Sequence, residues 1–217
     1  QIETLMPSFQ DVRKAIENYK GDKNKLVVML SDIGGIINPH IEQISKFLKQ
    51  ENILLLEDAA HSFGSTLNKK FAGTFGDAGV YSYYSTKAIF AGEGGVAVTN
   101  NEKIGSLLQD FIAYDRFKQK MPIGCNIRLS ELQALMIYSV VNDYKKIISN
   151  KTEIGEKYEE ICKSNEIEFI SQKLNSNIGN FYKFTIISTK EEVLQKYPKI
   201  KTTTSKVYDY ALGGNKD

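Results

Sequence analysis

Residues 57–95 read EDAAHSFGSTLNKKFAGTFGDAGVYSYYSTKAIFAGEGG, and the rest of the chain is organised around them. The stretch gathers an acid (Asp58), a histidine (His61), several hydroxyls and Lys87, a lysine followed by Ala-Ile-Phe-Ala-Gly, among turns rich in glycine and alanine. Apolar runs at Ile53–Leu56 and Val96–Val98 bracket it, which predicts that buried strands deliver both of its ends. Its polar residues then fall at strand ends, where open α/β sheets hold their ligands.

Upstream, Lys25 to Leu30 is a short apolar run. Gly34 and Gly35 follow, then a helical pattern from Asn38 and Pro39 with Ile41, Ile44, Phe47 and Leu48 facing inward, then the strand Ile53 to Glu57. Strand, glycine turn, helix and strand in some thirty residues predict a right-handed βαβ crossover. Unbroken apolarity in both strands predicts a parallel sheet buried on both faces and covered by helices. Ser8, with Asp11 three residues on, predicts a helix carrying Val12, Ala15, Ile16 and Tyr19 and stopping at Gly21.

Downstream, Asn101 to Tyr114 carries a helical stripe of Ile104, Leu107, Leu108 and Phe111, and a loop runs from there to Asn126. Ser130 and Gln133 form a cap signature for one long helix toward Cys162. Ile167–Ile170 and Phe181–Ile187 read as strands, and Thr189 with Glu192 caps a last short helix. The fold class is α/β, with a mostly parallel sheet flanked by helices. The division expected is a large domain over 1–150 and the start of a small α+β domain over 151–217.

Composition narrows the function classes. The 217 residues are 41% hydrophobic, enough for one sizeable core. With 28 basic against 26 acidic residues interleaved along the chain, no nucleic-acid face stands out. Cys125 and Cys162 lie far apart with no CxxC or His/Cys cluster, so no disulfide framework or zinc site is indicated and a reducing, cytoplasmic compartment fits. No apolar run approaches the roughly 20 residues that span a bilayer, and the N-terminus lacks a signal pattern. A start at Gln1 with a helix almost at once predicts an excerpt of something longer.

Asp58 emerges from ILLLE at a strand end, where an acid serves as a simple cap, as a magnesium ligand or as a partner for a cofactor. The magnesium reading needs a GxxxxGK[ST] phosphate loop, and the chain has none. His61 leaves the same strand end, so both can face one ligand. Ser62 beside it does not make a hydrolase triad, since GxSxG is absent. Ser82, Ser85 and Thr86 offer hydroxyls to an anion. A lysine kept from water gives up its proton more readily, and the neutral amine attacks a carbonyl to form a Schiff base. That is the chemistry of a lysine anchoring pyridoxal phosphate, which also needs an acid at the pyridine nitrogen.

EDAAHS, Gly73-Thr74, Gly76-Asp77, SYYSTK, GEGG and GCNIRLSELQA, in that order and spacing, resemble the DegT/DnrJ/EryC1/StrS family of sugar aminotransferases. The resemblance covers about Lys25 to Cys162. It implies a fold-type-I enzyme dependent on pyridoxal 5'-phosphate, in which Lys87 forms the Schiff base and shuttles the substrate proton. It further implies Asp58 at the pyridine nitrogen, His61 at the ring hydroxyl, Ser82 at the cofactor phosphate, and a close backbone approach at Gly94 and Gly95. Asn126 matches an asparagine that reaches the neighbouring subunit's cofactor, which implies a homodimer with shared active sites. The implied substrates are an amino acid, glutamate by family expectation, and a nucleotide-linked keto-sugar; the products serve deoxyamino-sugar or cell-surface polysaccharide biosynthesis.

Lys87 argues against the branch of the family that carries histidine there and dehydrates its sugar. The family's pattern also contains a section before the point matching Gln1, with a phosphate-binding turn and a ring-stacking aromatic, and continues past Asp217. The chain is therefore expected to be incomplete at both ends and inactive alone, and the loop from Tyr114 to Gly124 is short beside many relatives. Two other classes stay open: a degenerate cofactor-binding regulator or subunit, and a nucleotide-binding α/β module.

Overall fold

A computed structural model describes residues 5–113, 124–174, 176–187 and 195. The first helix, α1 (Phe9–Asn18), starts where the capping signature places it. Ser8 Oγ accepts the Asp11 N–H at 3.2 Å, and the Asp11 carboxylate accepts the Ser8 N–H at 2.8 Å. Strand β1 (Val27–Ser31) leads through a tight turn at Gly34 and Gly35 into α2 (Ile41–Gln50), and β2 (Leu54–Asp58) returns parallel to β1. Both turn glycines have positive φ. At Gly35, φ +99°, any Cβ would collide with the Asn180 side chain, so no other residue fits this close approach.

Ile41, Ile44 and Leu48 of α2 are fully buried and pack with Val12, Ile16, Leu30 and Leu55 into the main core. Each such side chain taken from water contributes roughly 1.5–3 kcal/mol. Strand β5 (Ala78–Ser82) continues the sheet parallel to β2, and β6 (Gly95–Val98) closes it antiparallel, in the order β1-β2-β5-β6. Two-residue strands β3 (Thr66–Leu67), β4 (Lys70–Phe71), β7 (Lys173–Leu174) and β8 (Asn177–Ile178) form a second, antiparallel sheet in the order β4-β3-β8-β7.

Four sequence-based expectations need correcting or narrowing. Among the described residues, helices cover one face of the main sheet, whereas Val27, Met29 and Leu54 on the other are 52%, 60% and 46% exposed. Apolar strands report that both faces are suited to burial, not that a covering element is at hand. The long helix after Ser130 is two helices, α4 (Glu131–Val141) and α5 (Tyr144–Ser164). The break falls at Asn142 and Asp143, where the Asn142 side-chain amide turns back to the Tyr138 carbonyl at 3.4 Å and competes with the helical backbone. The strands expected over Ile167–Ile170 and Phe181–Ile187 reduce to a single antiparallel bridge, Phe169 to Ile186, and the left-handed φ of +51° at Phe181 keeps that residue out of any strand. The helix expected at Thr189 and Glu192 lies outside the described residues.

Helix α3 (Glu102–Ala113) follows β6 as expected, and the Ser130–Gln133 capping box starts α4. No described helix is long and apolar enough to cross a membrane.

Candidate active site

The parallel register brings the ends of three strands together. Ser31 pairs with Asp58, and Asp58 pairs with Val80, two residues before Ser82. Side chains alternate along a strand, so Ser31, Asp58 and Ser82 share one face at the carboxyl ends of β1, β2 and β5. Asp58 is half-buried; Oδ2 accepts the Ser31 hydroxyl at 3.2 Å and Oδ1 the Ala60 N–H at 3.1 Å. These donors fix the carboxylate's orientation. Ser82 Oγ accepts the Tyr84 N–H at 3.3 Å.

The loop that leaves β2 carries His61 back over the glycine turn, where its Nδ1 accepts the Gly34 N–H at 3.3 Å. The ring proton of the neutral imidazole therefore sits on Nε2. Burial, together with the Lys87 and Lys183 ammonium groups, holds this imidazole below its ordinary range against the opposing pull of Asp58. A neutral His61 thus offers one N–H donor to a ligand.

Lys87 lies in the turn between β5 and β6. Backbone bonds from Lys87 to Tyr84, Ser85 to Gly92, Ala91 to Tyr83 and Tyr83 to Gly94 tie that turn down, and Ile89 and Ala91 anchor it in a cluster with Tyr83. The half-buried Lys87 places its amine 4.7 Å from the centre of the Tyr182 ring. That ring lies 4.6 Å from the His61 imidazole, and its hydroxyl is 3.0 Å from Thr86 Oγ1. Asp58, His61, Lys87 and Thr86 are thus gathered at one sheet edge with Ser82 beside them. Asn126 is not brought in: it is exposed on the segment that leads into α4.

Two features of the neighbourhood carry no local sequence signal. Tyr182 reaches the site from the far end of the described chain. Asp32, just past β1, is 1% exposed; its Oδ2 accepts the Ser62 hydroxyl at 2.7 Å and its Oδ1 has no partner among the described residues. Burial pushes its carboxyl up to about 7, with the Ser62 bond opposing and the charge of Glu57 adding to the rise. Glu57 is itself fully buried and accepts N–H groups of Gly73, Phe75 and Gly76.

The Asp32 shift sets a pH dependence. Unfolded, the group titrates near 3.9, while the folded chain keeps its proton to about 7. Between these values the native state binds the extra proton, so stability falls as pH rises from about 4 to about 7 and levels off above. The loss is at most about 4 kcal/mol. Urea unfolding at pH 5 and pH 8 checks this: Asp32→Asn should flatten the fall seen in the unmodified protein, and an equal fall in both would remove Asp32 as its source.

The model of the DegT/DnrJ/EryC1/StrS aminotransferase family matches residues 1–209. The chain belongs to this family. GDP-perosamine synthase of Escherichia coli O157:H7 is 31% identical over 160 residues, covering 72% of this chain and 42% of that protein. The UDP-4-amino-4,6-dideoxy-N-acetyl-beta-L-altrosamine transaminase of Helicobacter pylori is 27% identical over 157 residues, covering 70% and 41%. The crystal structure of a DegT DnrJ EryC1 StrS aminotransferase from Brucella abortus superposes with a TM-score of 0.80 over 90% of this chain and 53% of that one, at 19% identity. The chain spans about half or less of the length of these relatives, and the α/β architecture expected from the family resemblance is the one observed.

The residues present fit pyridoxal phosphate, the group that the family resemblance implies. Asp58 offers an acceptor-only carboxylate for a protonated ring nitrogen, His61 Nε2–H a donor for a ring oxygen, Ser82 a hydroxyl for phosphate and Lys87 an amine for the aldehyde. Among the described residues no group of three or more His, Cys, Asp and Glu side chains is placed to hold a metal ion.

Proposed function

We propose that this family member is a pyridoxal phosphate-dependent aminotransferase that moves an amino group from an amino acid, glutamate, to a nucleotide-linked keto-sugar. The observation that carries the reading is the gathering of Lys87, His61 and Asp58 at the carboxyl end of one parallel sheet, two of them linked through the Tyr182 ring. The relatives, a perosamine synthase and an amino-sugar transaminase, support the substrate class.

When bound, pyridoxal phosphate supplies a protonated pyridine ring that draws electron density from the substrate Cα. Asp58, held by Ser31 and Ala60, keeps the proton on the ring nitrogen, because a negative charge nearby favours the charged form of its partner. His61 would give an Nε2–H hydrogen bond to the ring oxygen, and the Ser82 hydroxyl would orient the phosphate. Lys87 would hold the cofactor through Nζ, and its free amine would serve as the base that takes the substrate Cα proton and the acid that returns it to the cofactor's aldehyde carbon.

Cytoplasmic location and a homodimer with shared active sites complete the proposal. The dimer is supported by exposed Asn126 and by α4, whose Leu132, Leu135 and Tyr138 are 69%, 63% and 68% exposed, an apolar display of the kind partners cover. An absorption spectrum of the purified complete gene product with pyridoxal phosphate, before and after glutamate, tests the function. A visible band that glutamate abolishes is expected. A folded, dimeric protein that never develops the band would point instead to a regulator or subunit that has lost the chemistry.

A further inference from the structure

Tyr182 is held in place by an unusual number of buried polar contacts. The Asn180 side chain, fully buried, donates to the carbonyls of His61 at 2.8 Å and Phe63 at 3.0 Å, and its Oδ1 accepts the Tyr182 N–H at 2.9 Å. The Asn180 and Lys183 N–H groups donate to Gly35 and Gly34 at 3.3 and 3.0 Å, so the segment is sewn to the same glycine turn that holds His61. On the far side, Phe181 gives its N–H to the buried Gln172 side chain at 2.8 Å and packs so closely on Gly155 of α5 that no Cβ fits there.

The geometry points to Tyr182 as a positioning residue of the site, whose ring face holds the Lys87 amine beside His61 whenever that amine is free. This rests on the reading of Lys87 as the residue that takes up the cofactor. The ring meets Lys87 at 4.7 Å and His61 at 4.6 Å, and its hydroxyl is tethered to Thr86, the residue before the lysine. A tether on the adjacent residue and a π face under the amine restrict both ends of the lysine's motion. A cation over an aromatic face is attracted by the negative face of the ring quadrupole. Lys183, 4.9 Å from the same ring, is the other cation present, and the phenol responds to the set: burial works to raise it, but the Thr86 bond and the two lysine charges outweigh burial and hold it below its ordinary value.

The test is the rate of reductive methylation of Lys87 by formaldehyde and borohydride at one pH in the full chain without cofactor, read by peptide mass spectrometry. Tyr182→Leu should raise the Lys87 rate about fivefold, while Tyr182→Phe, which keeps the ring face but loses the hydroxyl that meets Thr86, should give only the smaller rise expected of Thr86→Val. Thr86→Val, an exposed change that removes the tether alone, should give an intermediate rise and decides the matter should Tyr182→Leu fail to fold. Unchanged Lys87 rates in folded Tyr182→Leu, or in Thr86→Val where the former is unfolded, would overturn the proposal, as would a Tyr182→Phe rate as high as that of Tyr182→Leu. Because no cofactor is used, this result is separate from the spectral test of aminotransferase function.

Discussion

Lys87→Ala is expected to lower the rate of transamination by at least about 10³-fold, combining the loss of the covalent link with the loss of the proton carrier. That corresponds to roughly 4 kcal/mol of transition-state stabilisation. The loss should be chemical rather than structural. The turn is held by backbone bonds and by the buried Ile89 and Ala91, none of which involves the Lys87 side chain, and only its contact with the Tyr182 ring disappears. An exposed or partly exposed cation–π contact contributes about 0.5–1 kcal/mol, too little to unfold a domain. Single-turnover reaction with glutamate, beside a thermal melt, separates the two effects. Lys183, on the same ring, is the amine best placed to substitute. Residual turnover that vanishes in a Lys87→Ala/Lys183→Ala double variant would trace to it, whereas activity within tenfold of the unmodified protein in that double variant would remove the lysine from the mechanism.

That Lys87, Asp58 and His61 stand out in the chain as candidates is a matter of range. Each is defined by neighbours a few residues away: the strand before Asp58, the three-residue step to His61, the hydroxyl run before Lys87. Caps were legible for the same reason, and Ser8 with Asp11 and Ser130 with Gln133 start their helices as expected. Tyr182 was not, because nothing in NFYKF reports that Asn180 reaches back to His61 and Phe63; only the folded chain makes those neighbours. Strand β5 escaped notice because Gly79 interrupts its apolar pattern. The structure supplies the reason for that glycine: a Cβ there would run into the backbone of Gly73, in the loop clamped by Glu57. The second sheet escaped because two-residue strands show no alternation to read.

Asp58→Asn is expected to leave the fold and cofactor uptake in place and to slow proton removal from the substrate Cα by about 10²–10³-fold, the usual penalty for deleting one preorganised electrostatic partner. The hydrogen-bond inventory explains why the fold should tolerate the change. Asparagine Oδ1 still accepts the Ala60 N–H, and with its NH₂ toward Ser31 that hydroxyl rotates from donor to acceptor, so no half-buried group is orphaned. Charge alone is removed. Without it no other described residue named on this face of the sheet favours a protonated ring nitrogen, since Ser31 and Ser82 are neutral and Glu57 points to the opposite face, toward the N–H groups of the Gly73–Gly76 loop. The deuterium isotope effect on the glutamate half-reaction should therefore rise as Cα–H cleavage becomes more fully rate-limiting, and the rate should recover partly with a cofactor analogue bearing a fixed positive charge at that nitrogen. An unchanged rate would assign the acid to strand capping, and a lost visible band with no loss of fold would assign it to cofactor binding alone.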